Sequence, residues 1–292
     1  MAYNIDQFSK ITGINKLLLR TWENRYSFLT PKRTNTKIRI YSDELLIQGL
    51  NAKLLLENGH KISQISKKNN KQIEKLIFDI KKNISVDSCD EYFINQFIKS
   101  AIQYNSNLFN DTFDECLSNF QIIDFYKKIM LPTFSKVGLF WLSNKMNPAQ
   151  EHFLSEMFKQ KIYSQIDCVN QKTKNNKWLL FLPPNEYHEL GLLFSRFLLL
   201  YHGHDVIYLG SDVPYSSLSQ VSDSLPIKNI LFFSVSNFSK KNIVQTTSFL
   251  NKEFSNCNIF LASDLEEGNL FEKQNKIKII KSIDSFIDFI SK

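Results

Sequence analysis

The chain has 292 residues, 43% hydrophobic and 22% charged, so it can bury a core and has room for two or more domains. Its net charge of +7 is concentrated in the first eighty or so residues, which suits an anionic partner at that end. Cys89, Cys116, Cys168 and Cys257 form no CxxC pair, which argues against a zinc site or disulfide framework and for reduced, buried thiols; the lack of an 18-residue apolar run argues against a spanning helix, and with Asp6 and Lys10 interrupting any leader-like stretch the expectation is a cytoplasmic protein with no membrane partner.

In chain order, Asn4 to Phe8 opens a short helix that Gly13 ends. A second helix starts at the N-cap residue Asn15, with Leu17, Leu18 and Trp22 expected inward and Lys16, Arg20, Glu23, Asn24 and Arg25 outward. Two short helices joined through a glycine turn make a helix-turn-helix. Pro31 to Tyr41 reads as a small β-ribbon with a basic tip, a wing. Ser42 and Asp43 then cap a helix that runs to about Asn58 and closes at Gly59. A short helix, Ile62 to Lys67, precedes a polar linker over Lys67 to Gln72 and a charged helix from Ile73 to Asn83.

From Glu91 to Asn170 apolar residues recur every three or four positions in four groups, led by Phe93, Leu108, Phe125 and Phe153. Turns at Asn105-Ser106, at Asn119 and over Asn144 to Pro148 separate them, and an up-and-down four-helix bundle is the simplest packing. After the polar run Gln171 to Lys177, strands alternate with helices. Trp178 to Leu182, Val206 to Leu209, Ile230 to Phe233, Asn258 to Ala262 and Ile277 to Ile280 are the strands, and the first is a continuous apolar run as a buried parallel strand should be. The predicted fold is therefore mixed. A winged helix-turn-helix covers 1–70, a linker helix 71–90 and a helical bundle 91–170, and a doubly wound Rossmann-like (flavodoxin-like) α/β domain covers 177–292. Ligands in such α/β domains sit at the carboxyl ends of the strands.

Leu19-Arg20-Thr21-Trp22-Glu23-Asn24-Arg25-Tyr26, followed by Leu29, Pro31, Arg33 and Ile38-Arg39-Ile40-Tyr41-Ser42, resembles the MerR-type winged helix-turn-helix. The resemblance implies that the second helix enters the major groove of double-stranded DNA and that the wing reaches the backbone. Carried over by position, Lys16, Arg20, Arg25 and Arg39 are the main DNA contacts, Arg33 and Lys37 are wing cations, and Asn15 and Thr21 touch phosphate or base edges. Trp22 and Tyr41 read as structural. Asn35-Thr36-Lys37-Ile38 stands where that family has a Gly before an aromatic residue. Arginine and lysine at phosphates supply most of the affinity, and base-edge contacts supply the sequence preference.

Trp141, nine intervening residues, then Glu151-His152, together with Glu186-Tyr187-His188-Glu189-Leu190-Gly191 after the first α/β strand, resemble the cobalamin-binding regulators of the CarH/LitR type. That resemblance implies adenosylcobalamin as cofactor. His188 would be the lower axial ligand of cobalt and Glu186 the carboxylate that steers its imidazole. Gly191 would let its helix approach the corrin tail, and Trp141, Glu151 and His152 would lie over the upper face. The chain departs from the pattern where Ser234-Val235-Ser236 replaces S-x-L, and where Ala262-Ser263 replaces a Gly-Gly pair, so that two side chains project toward the tail. Leu142 stands where some light-sensing relatives carry a cobalt-ligating His. His202-Gly203-His204 reads as a turn, not a metal site.

The expected function is a non-enzymatic transcriptional regulator. Cobalamin, with light acting on the adenosyl form as one route, controls its self-association (dimer or tetramer) and its affinity for an operator. One alternative is a regulator of the same architecture with a degenerate pocket, acting without cobalamin. A remote one is the methyl-carrier or mutase module of a cobalamin enzyme, against which the DNA-reading head counts.

Overall fold

The structure, a computed structural model, describes residues 2–83, 90–142, 148–169, 174–235, 240–263 and 277–291. They fall into two compact units, Met1–Met157 and Phe158–Lys292.

The first unit opens with β1 (Ala2–Tyr3), α1 (Ile5–Thr12), α2 (Lys16–Tyr26), β2 (Lys32–Arg33), β3 (Arg39–Ser42) and α3 (Asp43–Glu57). Asn4 starts α1 through a reciprocal box: its Oδ1 accepts from the Gln7 amide, and Gln7 Oε1 accepts from the Asn4 amide, both at 2.9 Å. Gly13 stops the helix at φ +70, where a side chain would be strained. Asn15 then caps α2 by accepting from the Leu17 amide at 2.8 Å. The strands form an antiparallel sheet in the order β1-β3-β2, with Tyr3 opposite Tyr41 and Arg33 opposite Arg39. Phe8 stacks on Tyr41 with ring centroids 4.2 Å apart, and Trp22 packs against Phe28. This small core ties helix-turn-helix to wing.

Three local expectations need correction. On α2, Leu19 and Trp22 are the buried residues, whereas Leu17 is 69% and Leu18 48% exposed. The helical stripe runs through 19 and 22, and the two preceding leucines lie off it. β1 has no counterpart in the sequence pattern, because a two-residue strand has no periodicity to read. The polar run expected as a linker enters α5 (Asn70–Asn83) directly after the short α4 (Ile62–Ile65). Asn69 and Gln72 cap α5 reciprocally, each side-chain oxygen accepting from the other's amide at 2.9–3.0 Å.

The bundle comprises α6 (Asp90–Gln103), α7 (Ser106–Asn119), α8 (Ile122–Phe125), α9 (Leu131–Leu142) and α10 (Pro148–Asp167). A π-helical turn, Tyr126–Met130, joins α8 to α9, making one long segment of them, so four helical segments are present as expected. Pro132 lies just beyond that turn. It lacks the N–H that would bond back to residue 128, and its ring crowds that carbonyl, a physical reason for the helix to widen there. Phe97 lies against Phe109 and Phe125, and Phe113 against Phe125, with centroids 5.0–6.0 Å apart. Each such buried ring stabilises by roughly 1.5–3 kcal/mol before entropy is counted.

The α/β unit comprises β4 (Lys174–Phe181), α11 (Glu189–Tyr201), β5 (His204–Gly210), α12 (Tyr215–Ser224), β6 (Asn229–Phe233), α13 (Lys240–Glu253), β7 (Asn258–Ala262), β8 (Ile277–Ile280) and α14 (Ile283–Ile290). All pairings are parallel, in the order β5-β4-β6-β7-β8. That is the flavodoxin-like order, and the chain reverses direction across the sheet between β4 and β6, where ligands of such folds bind. Leu179, Phe181, Ile230, Phe232, Ile259 and Leu261 alternate onto one face with residues of α12 and α13. Trp178 points to the other face and meets Phe286 and Phe289 of α14. Among the described cysteines, Cys116 is buried, Cys257 half-buried and Cys168 exposed, so burial does not extend to every thiol; Cys89 lies outside the described residues.

Candidate functional site

In the head, α2 presents Asn15, Lys16, Arg20, Thr21 and Arg25, all exposed. Lys16 forms an ion pair with Asp6 of α1. Thr21 returns its hydroxyl to the Leu17 carbonyl at 2.8 Å, and the Arg25 guanidinium sits 5.6 Å from the Tyr26 ring centroid. Lys37 occupies the wing tip at φ +60, in a turn closed by its amide on the Thr34 carbonyl at 2.8 Å.

Arg33 and Arg39 are held differently. Arg33 Nη2 donates to Glu23 Oε1 and Arg39 Nε to Glu23 Oε2, each at 2.6 Å. The Glu23 side chain is only 9% exposed. Burial pushes its carboxyl up, but Arg39 and Arg33 outweigh that and hold it below the usual range. Helical spacing places Glu23 on the outward face and does not mark it as functional. No local signal could have found it, since its partners lie 10 and 16 residues away and meet it only when the wing folds back on α2. Tyr41 is buried beneath this cluster, and burial, with Glu23 second, pushes its phenol up to about 12.

In the bundle, Trp141 lies in the last turn of α9, and its side chain falls outside the described residues. Glu151 stands in the first turn of α10, where a carboxylate complements the helix dipole. It accepts a hydrogen bond from Ser155 Oγ. His152 is 73% exposed, with Nδ1 3.9 Å from Glu151 Oε2.

In the α/β unit, the loop after β4 is pinned from several sides. Leu182 donates to the Gly210 carbonyl at 2.8 Å, Val213 to Leu182 at 3.0 Å, and Asp212 to Glu186 at 3.2 Å. Asn185, at φ +65, donates its amide to Asp212 Oδ1 at 2.8 Å. Glu186 is wholly buried at the centre. Its Oε1 accepts from the amides of Tyr187 (3.0 Å) and His188 (3.1 Å) and lies 2.6 Å from His188 Nδ1, while Oε2 accepts from the Val235 amide, 3.0 Å away at the end of β6. A buried carboxylate with this many donors is compensated for lost water. It also ties the β4 loop to the β6 end, at the point where the strand order reverses. The His188 ring is 59% exposed. With Nδ1 committed to Glu186, Nε2 is the atom that would take a metal.

Gly191 lies in the first turn of α11, and a Cβ built there would come within 2.7 Å of Phe233 Cε1. Ser234 is buried and its amide donates to the Ala262 carbonyl at 3.1 Å; Ala262 is half-buried, and Ser236 falls outside the described residues. Among the described residues no three His, Cys, Asp or Glu side chains cluster as ligands for a metal ion. A single imidazole does not hold a bare ion. It does fit a metal that brings its own equatorial ligands, and the carboxylate-oriented His188 is of that kind. His204, by contrast, is buried with Nε2 on the Ile290 carbonyl at 2.8 Å, as a strand-start core residue. No helix among the described residues is long and apolar enough to cross a membrane.

Fold and site together define a DNA-reading head of the winged helix-turn-helix class followed by a helical bundle and a flavodoxin-like domain with a histidine at its switch point. Residues 3–71 match the family model described as MerR HTH family regulatory protein, and residues 93–164 the model described as B12 binding domain. The chain is homologous to two repressors of Myxococcus xanthus. It is 28% identical to the HTH-type transcriptional repressor CarH over 75% of this chain and 74% of that protein, and 24% identical to the HTH-type transcriptional repressor CarA over 75% and 71%. In fold it is similar to the monomethylamine corrinoid protein of Methanosarcina barkeri, with a TM-score of 0.54 at 11% identity, covering 69% of this chain and 98% of that one.

Proposed function

We propose that this protein is a transcriptional regulator, not an enzyme, whose self-association and operator affinity are controlled by a bound cobalamin. The observation that carries this reading is the buried Glu186 holding His188 at the switch point, on a chain that begins with a DNA-reading head. Its parts divide as 1–70 for DNA reading, 71–90 as linker helix, 91–170 as bundle and 177–292 as the α/β domain, and it acts in the cytoplasm.

His188 Nε2 would ligate cobalt, and Glu186 fixes the ring's tautomer and aim. Glu151 and His152, with Trp141, would shield the adenosyl group. Bound adenosylcobalamin supplies a cobalt–carbon bond that visible light breaks. The protein's part is to couple occupancy of the site to a self-association surface, so that several heads engage one DNA together and avidity rises with no new contact. Arg20, Arg25 and Lys16 on α2 read the major groove with Asn15 and Thr21, while Lys37, Arg33 and Arg39 present the wing to phosphate. Leu142 stands where some light-sensing relatives carry a second histidine, so this position would offer cobalt no side-chain ligand.

The test is an absorption spectrum of the protein after dark incubation with adenosylcobalamin and removal of free ligand, repeated for His188→Ala, with operator binding measured apo, loaded and after illumination. A co-eluting corrin spectrum that shifts in the variant, with DNA affinity that follows loading, is the expected result. A colourless protein whose DNA affinity is the same in all three states overturns the reading. That outcome would favour a regulator with a closed pocket, for which Ala262-Ser263 and Ser236 are the supporting residues.

A further inference from the structure

Phe232 and Phe233 end β6 pointing to opposite faces of the sheet. Phe232 joins the core beneath α12 and α13 and stacks on Phe181. Phe233 faces α11, and there its ring lies against the bare Cα of Gly191: a Cβ on that residue would meet Cε1 at 2.7 Å, Cδ1 at 3.2 Å and Cζ at 3.5 Å. The space that a glycine leaves is thus filled by the chain's own aromatic ring. The ring is only partly buried, and its position is bracketed by the site. Gly191 is three residues after His188, and Val235, two residues after Phe233, donates its amide to Glu186. Next to it, Ser234 is fastened to the end of β7 at Ala262, a residue with a side chain of its own.

A corrinoid carries its nucleotide base on a tether from its lower face, the face that a protein imidazole takes when it ligates cobalt. Ligation by His188 therefore displaces that base, and the tether confines it to the unit that bears the histidine. In a doubly wound sheet the room for it is the crevice at the strand carboxyl ends where the order reverses, between β4 and β6. Phe233 occupies the α11 side of that crevice. Admitting a benzimidazole there requires the ring to leave Gly191 and move into solvent or into neighbours already packed.

We propose that Phe233 plugs the tail crevice, so that this site prefers corrinoids with no nucleotide base on the lower face. The proposal rests on the cofactor reading above and specifies its ligand. It makes Phe233 a specificity residue, acting through the space it fills and not through contact with cobalt.

The experiment compares binding of adenosylcobalamin and adenosylcobinamide, which lacks the nucleotide, to the full-length protein in the dark. Wild type, Phe233→Ala and Phe233→Leu are titrated by absorbance, with the His188 ligation signature as second readout. The wild type is expected to bind adenosylcobinamide about tenfold or more tightly than adenosylcobalamin. Phe233→Ala should remove or reverse that preference by gaining affinity for adenosylcobalamin, and Phe233→Leu should fall between. Unchanged adenosylcobinamide binding in the variants shows that they are folded. A wild type that binds adenosylcobalamin at least as tightly as adenosylcobinamide, with a ratio that Phe233→Ala leaves alone, overturns the plug and keeps the cofactor reading. No binding of either corrinoid to any of the three proteins overturns both.

Discussion

Two carboxylates, Glu23 in the head and Glu186 in the α/β unit, do similar work by different means. Each is nearly or wholly buried, and each aims a nitrogen-bearing side chain that the sequence marks as functional. Glu23 is satisfied by two guanidinium groups from the wing. Glu186 is satisfied by three backbone amides and one imidazole. The first arrangement depends on charge and sits near solvent, so salt and acid weaken it. The second depends on backbone amides gathered around a buried carboxylate, which salt screens little. The wing, proposed to meet DNA, is held by the first kind of clamp, and His188, proposed to take a metal, is held by the second.

The largest effect is expected from removing the second clamp. Glu186→Ala takes the charged acceptor from three backbone amides and should destabilise the α/β unit by about 3–5 kcal/mol. Hydrogen exchange of the β4 and β6 amides reads this, and protection within about 1 kcal/mol of wild type would mean that the Glu186 clamp holds the unit no more firmly than the Glu23 clamp holds the wing. Next, Gly191→Ala drives a methyl into the Phe233 ring and should cost about 1–3 kcal/mol. Combining it with Phe233→Ala should recover part of that loss in a double-mutant cycle, and strict additivity would mean that the two do not touch.

In the head, Arg20→Ala should weaken operator binding by about 1–3 kcal/mol if Arg20 reads a base. Binding at wild-type affinity would move the contact elsewhere on α2. Glu23→Gln is expected to be milder in stability, about 1 kcal/mol, and more visible in pH dependence. Because the arginines hold Glu23 below its ordinary value of 4.5, the clamp is fully formed above that value and is lost as pH falls through the lowered one. The wild-type head should therefore lose stability on acidification by one step that the variant lacks. Identical acid titrations of the two proteins would show that the wing is held by packing alone. Smallest is Ser42→Ala, which removes the cap of α3, an Oγ accepting from the Leu45 amide at 3.4 Å, and should cost about 0.5–1 kcal/mol.

Much of this molecule is legible in local pattern. The apolar runs of β4 and β6 predict buried parallel strands, and the caps at Asn15 and Ser42 predict helix starts within one residue of those observed. Glu186 and His188 are two positions apart in a loop, so their pairing follows from the motif they form. Legibility fails where the deciding partner is distant or has no period. The pattern turns Leu17 and Leu18 inward because three leucines in a row offer more than one helical stripe, and only the packing of Leu19 and Trp22 selects among them.

The sequence by itself determined the kinds and order of the elements, the basic head, and the residues proposed to meet DNA or a metal. These depend on capping, periodicity and residue chemistry, which act over a few positions. The tertiary structure decided that Arg33 and Arg39 close on Glu23, that Val235 completes the shell of Glu186, and that Phe233 fills the hollow at Gly191. Those contacts join residues 10 to 49 positions apart. They are set by strand order and side-chain direction across a sheet, which no window along the chain contains.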